Sequence, residues 1–267
     1  HIINIKLKPA VSMLGEVKIK ATKEKYRNKD NPAVELIEKV IAHKKTNKQD
    51  ELDYLEYEKY EKIEFAFSNF NETIKDKKIL RKVKFIFDNI DTTKLIGKRI
   101  LPVYLKESVS DMYIKKSPKK TKEFVKANKM VSFEGYIDNK GMATYLKYLY
   151  QDIDIYDNSI KLLTNEMLSP IAITSQIFYK FYTMDTVKVD NELCTRLFFV
   201  PRNKTDMLFQ GQIFITNDSS YAVKMIDMTI NKNINLNWVR DLKIIQKFDQ
   251  TTENNKRILV NDQMLFD

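Results

Sequence analysis

The residues best equipped for chemistry fall in two short stretches. Glu107, Ser108, Ser110 and Asp111 would offer hydroxyl nucleophiles beside carboxylates able to act as general bases. Side chains alternate along an extended strand, so Glu107 and Asp111 share a face there. No histidine adjoins them in sequence, and an exposed or edge-strand role suits them better. Ser117 and Lys120 have the spacing of a serine–lysine nucleophile pair, but Pro118 between them favours a turn, whereas such nucleophiles sit on a helix. With only His1 and His43, a histidine-based metal site or catalytic triad has almost nothing to build from. Five glycines, none in a phosphate-loop spacing, argue equally against nucleotide binding. The single cysteine, Cys194, excludes an internal disulfide and reads as packed rather than reactive. Trp238 beside Arg240 suits a binding surface, and suits better a buried anchor for the last strand. The chain therefore reads as non-enzymatic, with no catalytic residue, metal or cofactor expected and a hydrolase as the remote alternative.

These residues must be positioned by strands. Residues 176–248 alternate short apolar runs with polar, turn-forming clusters, as a meander of antiparallel strands does. Five strands are expected, over 176–184, 193–200, 207–215, 221–230 and 240–248. In the middle one Phe209, Gly211, Ile213 and Ile215 point one way and Gln210 and Gln212 the other, while Phe214 breaks the polarity. Neighbouring strands are also apolar on parts of both faces. Such a sheet needs cover on both sides, or it keeps an apolar face for a guest.

The composition supplies enough apolar residues for that cover. The chain has 267 residues, 43% hydrophobic and 11% aromatic, enough for a sizeable core in one large or two small domains. No apolar run approaches the roughly 20 residues that cross a bilayer as a helix. The net charge of +10 invites a nucleic-acid reading, but the basic excess lies in the first half, and only seven of the 46 basic residues are arginine. Arginine forks and interleaved aromatics are sparse in the basic stretch 115–129, which contains Phe124 alone. Nucleic acid is not an expected partner; a solvated lysine edge that blunts aggregation is the plainer reading.

Along the chain, residues 3–8 and 16–20 alternate as strands do. A charged linker over 22–30 leads to a clear helix start, with Asn31 as N-cap, Pro32 at the first helical position and Glu35 in the opening turn. That helix is expected over 31–45 with Ile37, Val40 and Ile41 inward. Strands are expected over 57–67, 102–116 and 122–133, the last two reversing at Ser117 and Pro118, and further helices over 77–87 and 141–150.

The segments NPAVELIEKVIAHK (31–44), LPVYLKESVSDMYIKKSPKKTKE (101–123), IYDNSIKLL with LSP (155–170), FFVPRNKTDMLFQGQIFI (198–215) and NINLNWVRDLKI (233–244) resemble a family of unknown function in Bacteroidetes outer-membrane proteins. Together they span nearly all of 31–248. LGEVKIKA (14–21) resembles the end of the carboxypeptidase-regulatory-like β-sandwich that precedes many such proteins. The resemblance implies a periplasmic, outer-membrane-associated position between that sandwich and a C-terminal β-barrel, the expected partner. The final strands also resemble LolA-like lipoprotein carriers, whose open half-barrel holds acyl chains.

The expected architecture is α+β: a strongly curved antiparallel sheet forming a LolA-like half-barrel, with two or three helices packed on one face. Residues 1–21 would be the remnant of the sandwich, 22–30 a linker and 31–267 the curved-sheet domain. Phe178, Tyr182, Phe198, Phe214 and Ile226 are expected to converge on the helices or on a cavity for an apolar, lipid-like ligand or a protein segment. Lys115, Lys116, Lys119, Lys120, Lys122, Lys126 and Lys129 are candidates for an anionic surface, with a lipid or lipoprotein as further partner. The alternative is a spacer and protein-docking platform without ligand. A filled concavity favours the platform; an open aromatic groove favours the carrier.

Overall fold

A computed structural model describes residues 25–48, 53–68, 90–95, 98–132, 153–162, 165–231, 239, 241–250 and 256–267. The helices expected over 77–87 and 141–150, the strands over 3–8 and 16–20, and Trp238 lie outside the described residues.

Helix α1 (Pro32–Ala42) begins where local chemistry demands. The Asn31 side chain accepts from the Ala33 N–H at 3.0 Å, satisfying a donor the first turn leaves open, and Pro32 occupies a position whose N–H would have no partner. The helix closes at His43, whose N–H reaches Lys39 O at 3.0 Å, and a single further turn, α2 (Lys44–Asn47), follows. Ala33, Val34, Ile37 and Val40 are buried in the main core and Ile41 packs against it, as the helical spacing predicts.

Strands β1 (Tyr54–Phe67), β2 (Leu101–Lys115) and β3 (Lys120–Ser132) form the first hairpins. A short hairpin, β4 (Ser159–Leu162) and β5 (Asn165–Leu168), stands apart as its own two-stranded sheet. One helical turn, α3 (Ser175–Phe178), leads into β6 (Tyr179–Val189), β7 (Glu192–Pro201), β8 (Phe209–Thr216), β9 (Val223–Ile230), β10 (Leu242–Gln250) and β11 (Arg257–Phe266). The five-strand meander is present as β6 to β10. Residues 176–178 are a helical turn rather than the start of its first strand.

Nine strands join in one sheet in the order β3-β2-β1-β11-β10-β9-β8-β7-β6. Neighbours are antiparallel except β1 and β11, which run parallel, Tyr60 opposite Asn261 and Phe65 opposite Phe266. No tight turn joins the first strand to the last, so nothing imposes the antiparallel sense there. The expected antiparallel sheet is present, and this one parallel pair makes it a mixed one. It is also neither closed nor strongly curled, which corrects the expected strong curvature.

One face is covered by α1 and by residues 153–162 and 165–172. Ile153, Ile155, Tyr156, Ile160, Leu162, Met167 and Ile171 pack with Phe181, Phe199, Phe209, Ile213, Ile226 and Ile244 of the sheet. Each fully buried aliphatic or aromatic side chain stabilises the fold by about 1.5–3 kcal/mol. Hydrogen bonds tie this cover to the sheet: Val223 N–H donates to the Tyr156 hydroxyl at 3.1 Å, Tyr179 donates to Leu168 O at 2.6 Å, and Gln246 Nε2 donates to Ile153 O at 2.8 Å. Among the described residues this cover contains a single helix of more than one turn. The second face carries smaller clusters, Ala66, Ile100 and Leu265 in one, Val189, Cys194 and Phe214 in another.

Candidate functional site

The five apolar candidates do not converge. Ile226 is fully buried in the main core, within the covered face. Phe214 is buried in the small cluster with Val189 and Cys194, on the other side of β8 from Ile213 and Ile215. Phe198 lies between Leu197 and Phe199, both at 0% exposure, so it faces away from them and is half-buried. Tyr182 pairs with it across the strands and meets the Tyr26 ring edge-on at 5.4 Å. Phe178 sits in α3 with 41% of its surface exposed. The covered face is filled by α1 and the β4–β5 hairpin, not held open.

The seven lysines lie on the β2–β3 hairpin, as expected. β3 ends the strand order among the described residues, and Lys120 to Met130 are exposed throughout, on both faces. Three aromatic rings accompany the lysines. Tyr113 and Phe124 meet edge-on at 5.6 Å, Lys122 lies 4.5 Å over Phe124, and Lys115 lies 5.5 Å over Tyr54. Lys126 bulges from the ladder and bonds Glu58 at 2.8 Å and Asp111 at 3.2 Å. Lys116, Lys119, Lys120 and Lys129 are exposed along the tip and edge. Lysines and a bulge keep an edge strand from pairing indiscriminately, while the exposed Tyr54, Tyr113, Phe124, Val125 and Met130 leave it apolar contact area.

The reactive-looking residues of β2 are divided by the pleat. Glu107 and Asp111 share one face; Ser108 and Ser110 are buried on the other, opposite Glu61 and Lys59. Glu107 accepts from the Tyr60 hydroxyl at 3.1 Å and pairs with Lys62 at 3.2 Å. Burial alone would raise its carboxyl, and the bonds from Lys62 and Tyr60 outweigh it, holding the group below the usual range. Tyr60 is pushed up to about 12 by burial and by the Glu107 charge. These groups neutralise each other across the ladder; Glu107 and the serines do not meet. Ser117 and Lys120 lie in the hairpin turn and at the start of β3, not on a helix. Burial pushes the Cys194 thiol up to about 11, which leaves it protonated and inert at neutral pH. Among the described residues no group of three or more His, Cys, Asp or Glu is placed to hold a metal, and no helix is long and apolar enough to cross a membrane.

Two constellations escaped the sequence reading. At the far end of β7, Arg202 Nε donates to Gln176 O at 3.1 Å, its Nη2 reaches Asn28 Oδ1, and its guanidinium lies 4.9 Å over the Tyr26 ring. The Pro-Arg pair at 201–202 was the only signal. At the opposite end Lys224 and Arg257, 2% and 1% exposed, converge on Glu192. Arg257 grips it with two bonds of 2.9 and 2.7 Å, and Lys224 reaches it at 3.0 Å and also pairs with Asp249. Burial would raise Glu192, and the two cations hold it below the usual carboxylate range instead. This charge-assisted clamp ties the β6–β7 turn to β9, β10 and β11. No spacing in the sequence announces it, because its members come from strands far apart in the chain.

A family of unknown function, DUF5686, matches residues 36–267. Comparison with curated proteins and with solved structures finds no similar one.

Proposed function

The chain belongs to DUF5686, a family of unknown function, and we propose that its sheet is a non-enzymatic docking platform. In this reading it is a periplasmic spacer of a Bacteroidetes outer-membrane protein, following a carboxypeptidase-regulatory-like module. It engages an outer-membrane β-barrel, that of the same full-length chain, through the β2–β3 arm. The observation that carries the reading is the filled face: Ile37, Ile155, Ile160, Phe199 and Ile226, each at 2% exposure or less, occupy the space a guest would need. The arm supports it from the other side, with exposed Tyr54, Tyr113 and Phe124 on three adjacent strands among the lysines, and an outer strand that ends the sheet among the described residues.

The competing reading is a LolA-like carrier of a lipid or lipoprotein. It draws on Tyr182 and Phe198, half-buried together on the second face. Titration with a fluorescent fatty acid separates the two. The platform predicts no saturable uptake at micromolar concentration. Saturable uptake, weakened by Phe198→Asp in a variant that stays folded, would replace the platform with the carrier. In the full-length protein, a photoreactive residue at Phe124 is expected to crosslink to the barrel, and a crosslink from position 178 alone would take docking away from the arm.

A further inference from the structure

At the opposite corner of the sheet from the arm, three large apolar side chains stand in the open. Ile173 and Ile177 are 68% and 67% exposed, and Phe178 joins them. Their neighbours in sequence are buried: Ile171, Ala172, Ser175 and Tyr179 all lie at 0%. The turn alternates between a core-facing side and an outward side, and the outward side carries these three apolar side chains beside the exposed Thr174.

The backbone that presents them is pinned. Gln176 O accepts from Arg202 Nε at 3.1 Å, from Arg202 Nη2 at 3.0 Å and from Asn28 Nδ2 at 3.1 Å. Phe178 O accepts from the Arg202 N–H at 2.8 Å, and Ile173 N–H donates to Asn158 Oδ1 at 3.2 Å. So fixed, this segment cannot turn Ile173 and Ile177 inward, and their exposure is a property of the fold. Four cations lie on the segments that hold this turn: Arg27 and Lys29 are exposed on either side of Asn28, which bonds Gln176, Lys180 follows Phe178 by two residues, and Arg202 spends its guanidinium on Gln176 O, Asn28 and the Tyr26 ring. The acidic residues on these segments are Asp30 and Asp206, and Asp157, beside Asn158, is paired with Lys48 at 2.7 Å, so cations outnumber the uncompensated carboxylates.

We propose that this corner is a docking site for the surface of an anionic phospholipid bilayer, with Ile173, Ile177 and Phe178 entering the boundary between headgroups and acyl chains. Exposed apolar side chains with lysine and arginine on the adjoining segments match that interface on both counts: the Phe178 ring and the branched chains leave water while the cations meet phosphate. A soluble protein partner would satisfy the apolar half, and the adjoining cations select the anionic surface. An anchor of three side chains is weak and reversible, which suits a domain already attached by another contact. The proposal concerns a different surface and a different partner from those of the docking arm, and either stands without the other.

The test is co-sedimentation with vesicles of phosphatidylglycerol and phosphatidylethanolamine in equal parts, against vesicles of phosphatidylcholine alone, at low and high salt. Binding is expected to the anionic vesicles at low salt. It should fall about tenfold in the double variant Ile173→Ser, Ile177→Ser, whose melting temperature stays that of the parent because both side chains are exposed. Ile177→Trp should shift its emission to the blue on addition of the same vesicles. The arm variant Lys119→Glu, Lys120→Glu should lower sedimentation through its charge alone and leave the blue shift at position 177 in place. Equal sedimentation of the double variant, or an emission at position 177 that the vesicles leave unmoved, would overturn the assignment. Self-association without vesicles that the double variant abolishes would instead make the occupant a second copy of the chain.

Discussion

The β2–β3 arm and the β6–β9 meander are built alike and buried differently. Both are antiparallel, both alternate side chains across the pleat, and both carry apolar residues on parts of two faces. In the meander Phe181, Leu197, Phe199, Phe209 and Ile213 all fall to 0% exposure; in the arm Phe124, Val125 and Met130 keep about half their surface. The difference comes from what lies across the sheet. Residues 153–162 and 165–172 and α1 are laid over the meander, and nothing described covers β3. A strand's pattern says which residues share a face, and a partner element decides whether that face leaves water.

The comparison breaks if the two regions respond alike to charge. Ile37→Asp, at a position with 0% exposure in the core that covers the meander, is expected to unfold the domain, since an unpaired carboxylate there costs several kcal/mol, on the order of the whole stability. Phe124→Asp, at 48% exposure, should move the melting temperature very little. Equal losses in thermal unfolding would mean that the arm is buried in solution.

A smaller effect sharpens the contrast within the meander. Any Cβ on Gly211 would strike the Asp227 carbonyl oxygen and come within 2.7 Å of Met228 Cα, both rigid backbone of β9. Gly211→Ala should therefore cost about 3 kcal/mol, read from the denaturant midpoint, by forcing β8 and β9 apart. Ala127→Gly, in the exposed arm, should stay within about 1 kcal/mol.

The smallest effect concerns the cover itself. Lys44, beneath α1, gives its ammonium to Asn158 Oδ1 at 3.1 Å, and burial lowers its pKa to about 8 against 10.5 for the free side chain. Between those values the unfolded chain holds a proton that the folded chain has released, so the Lys44 contribution to stability should rise with pH from 8 towards 10, against the Cys194 thiol, raised from 9.0 to about 11, which pulls the other way. Above about 10 the buried phenols of Tyr156 and Tyr179, raised by desolvation, reverse the trend, because the unfolded chain then loses protons the folded one keeps. Lys44→Met should lack the rise, a difference on the order of 1 kcal/mol between denaturation midpoints at pH 8 and pH 10.

Much of this was legible from local chemistry. Asn31 and Pro32 announce α1 because capping and the missing proline N–H act within one turn of chain. Turn-forming clusters separate the five strands of the meander, and the reversal at Ser117 and Pro118 makes the arm, for the same reason. The strand β11 did not announce itself. Its polar centre, Asn261, Asp262 and Gln263, reads as a turn until Asp262 is seen buried and accepting from Gln246 Nε2 at 3.1 Å on the neighbouring strand.

What the sequence alone determined are the features whose causes lie within a few residues: the helix start, the strand rhythm, the lysine edge and the poverty of histidine and glycine. The tertiary structure alone decided which candidates meet. Phe214 and Ile226 are equally apolar, yet one faces a three-residue cluster and the other the main core. Phe178 was expected on a strand, but bonds from Arg202 and Asn28 close the turn around it and leave it outside. The parallel pairing of β1 with β11, the filling of the covered face by β4 and β5, and the Glu192 clamp all join residues far apart in the chain. Their energies depend on shape and desolvation at contact, and no local pattern encodes which distant surface will be there.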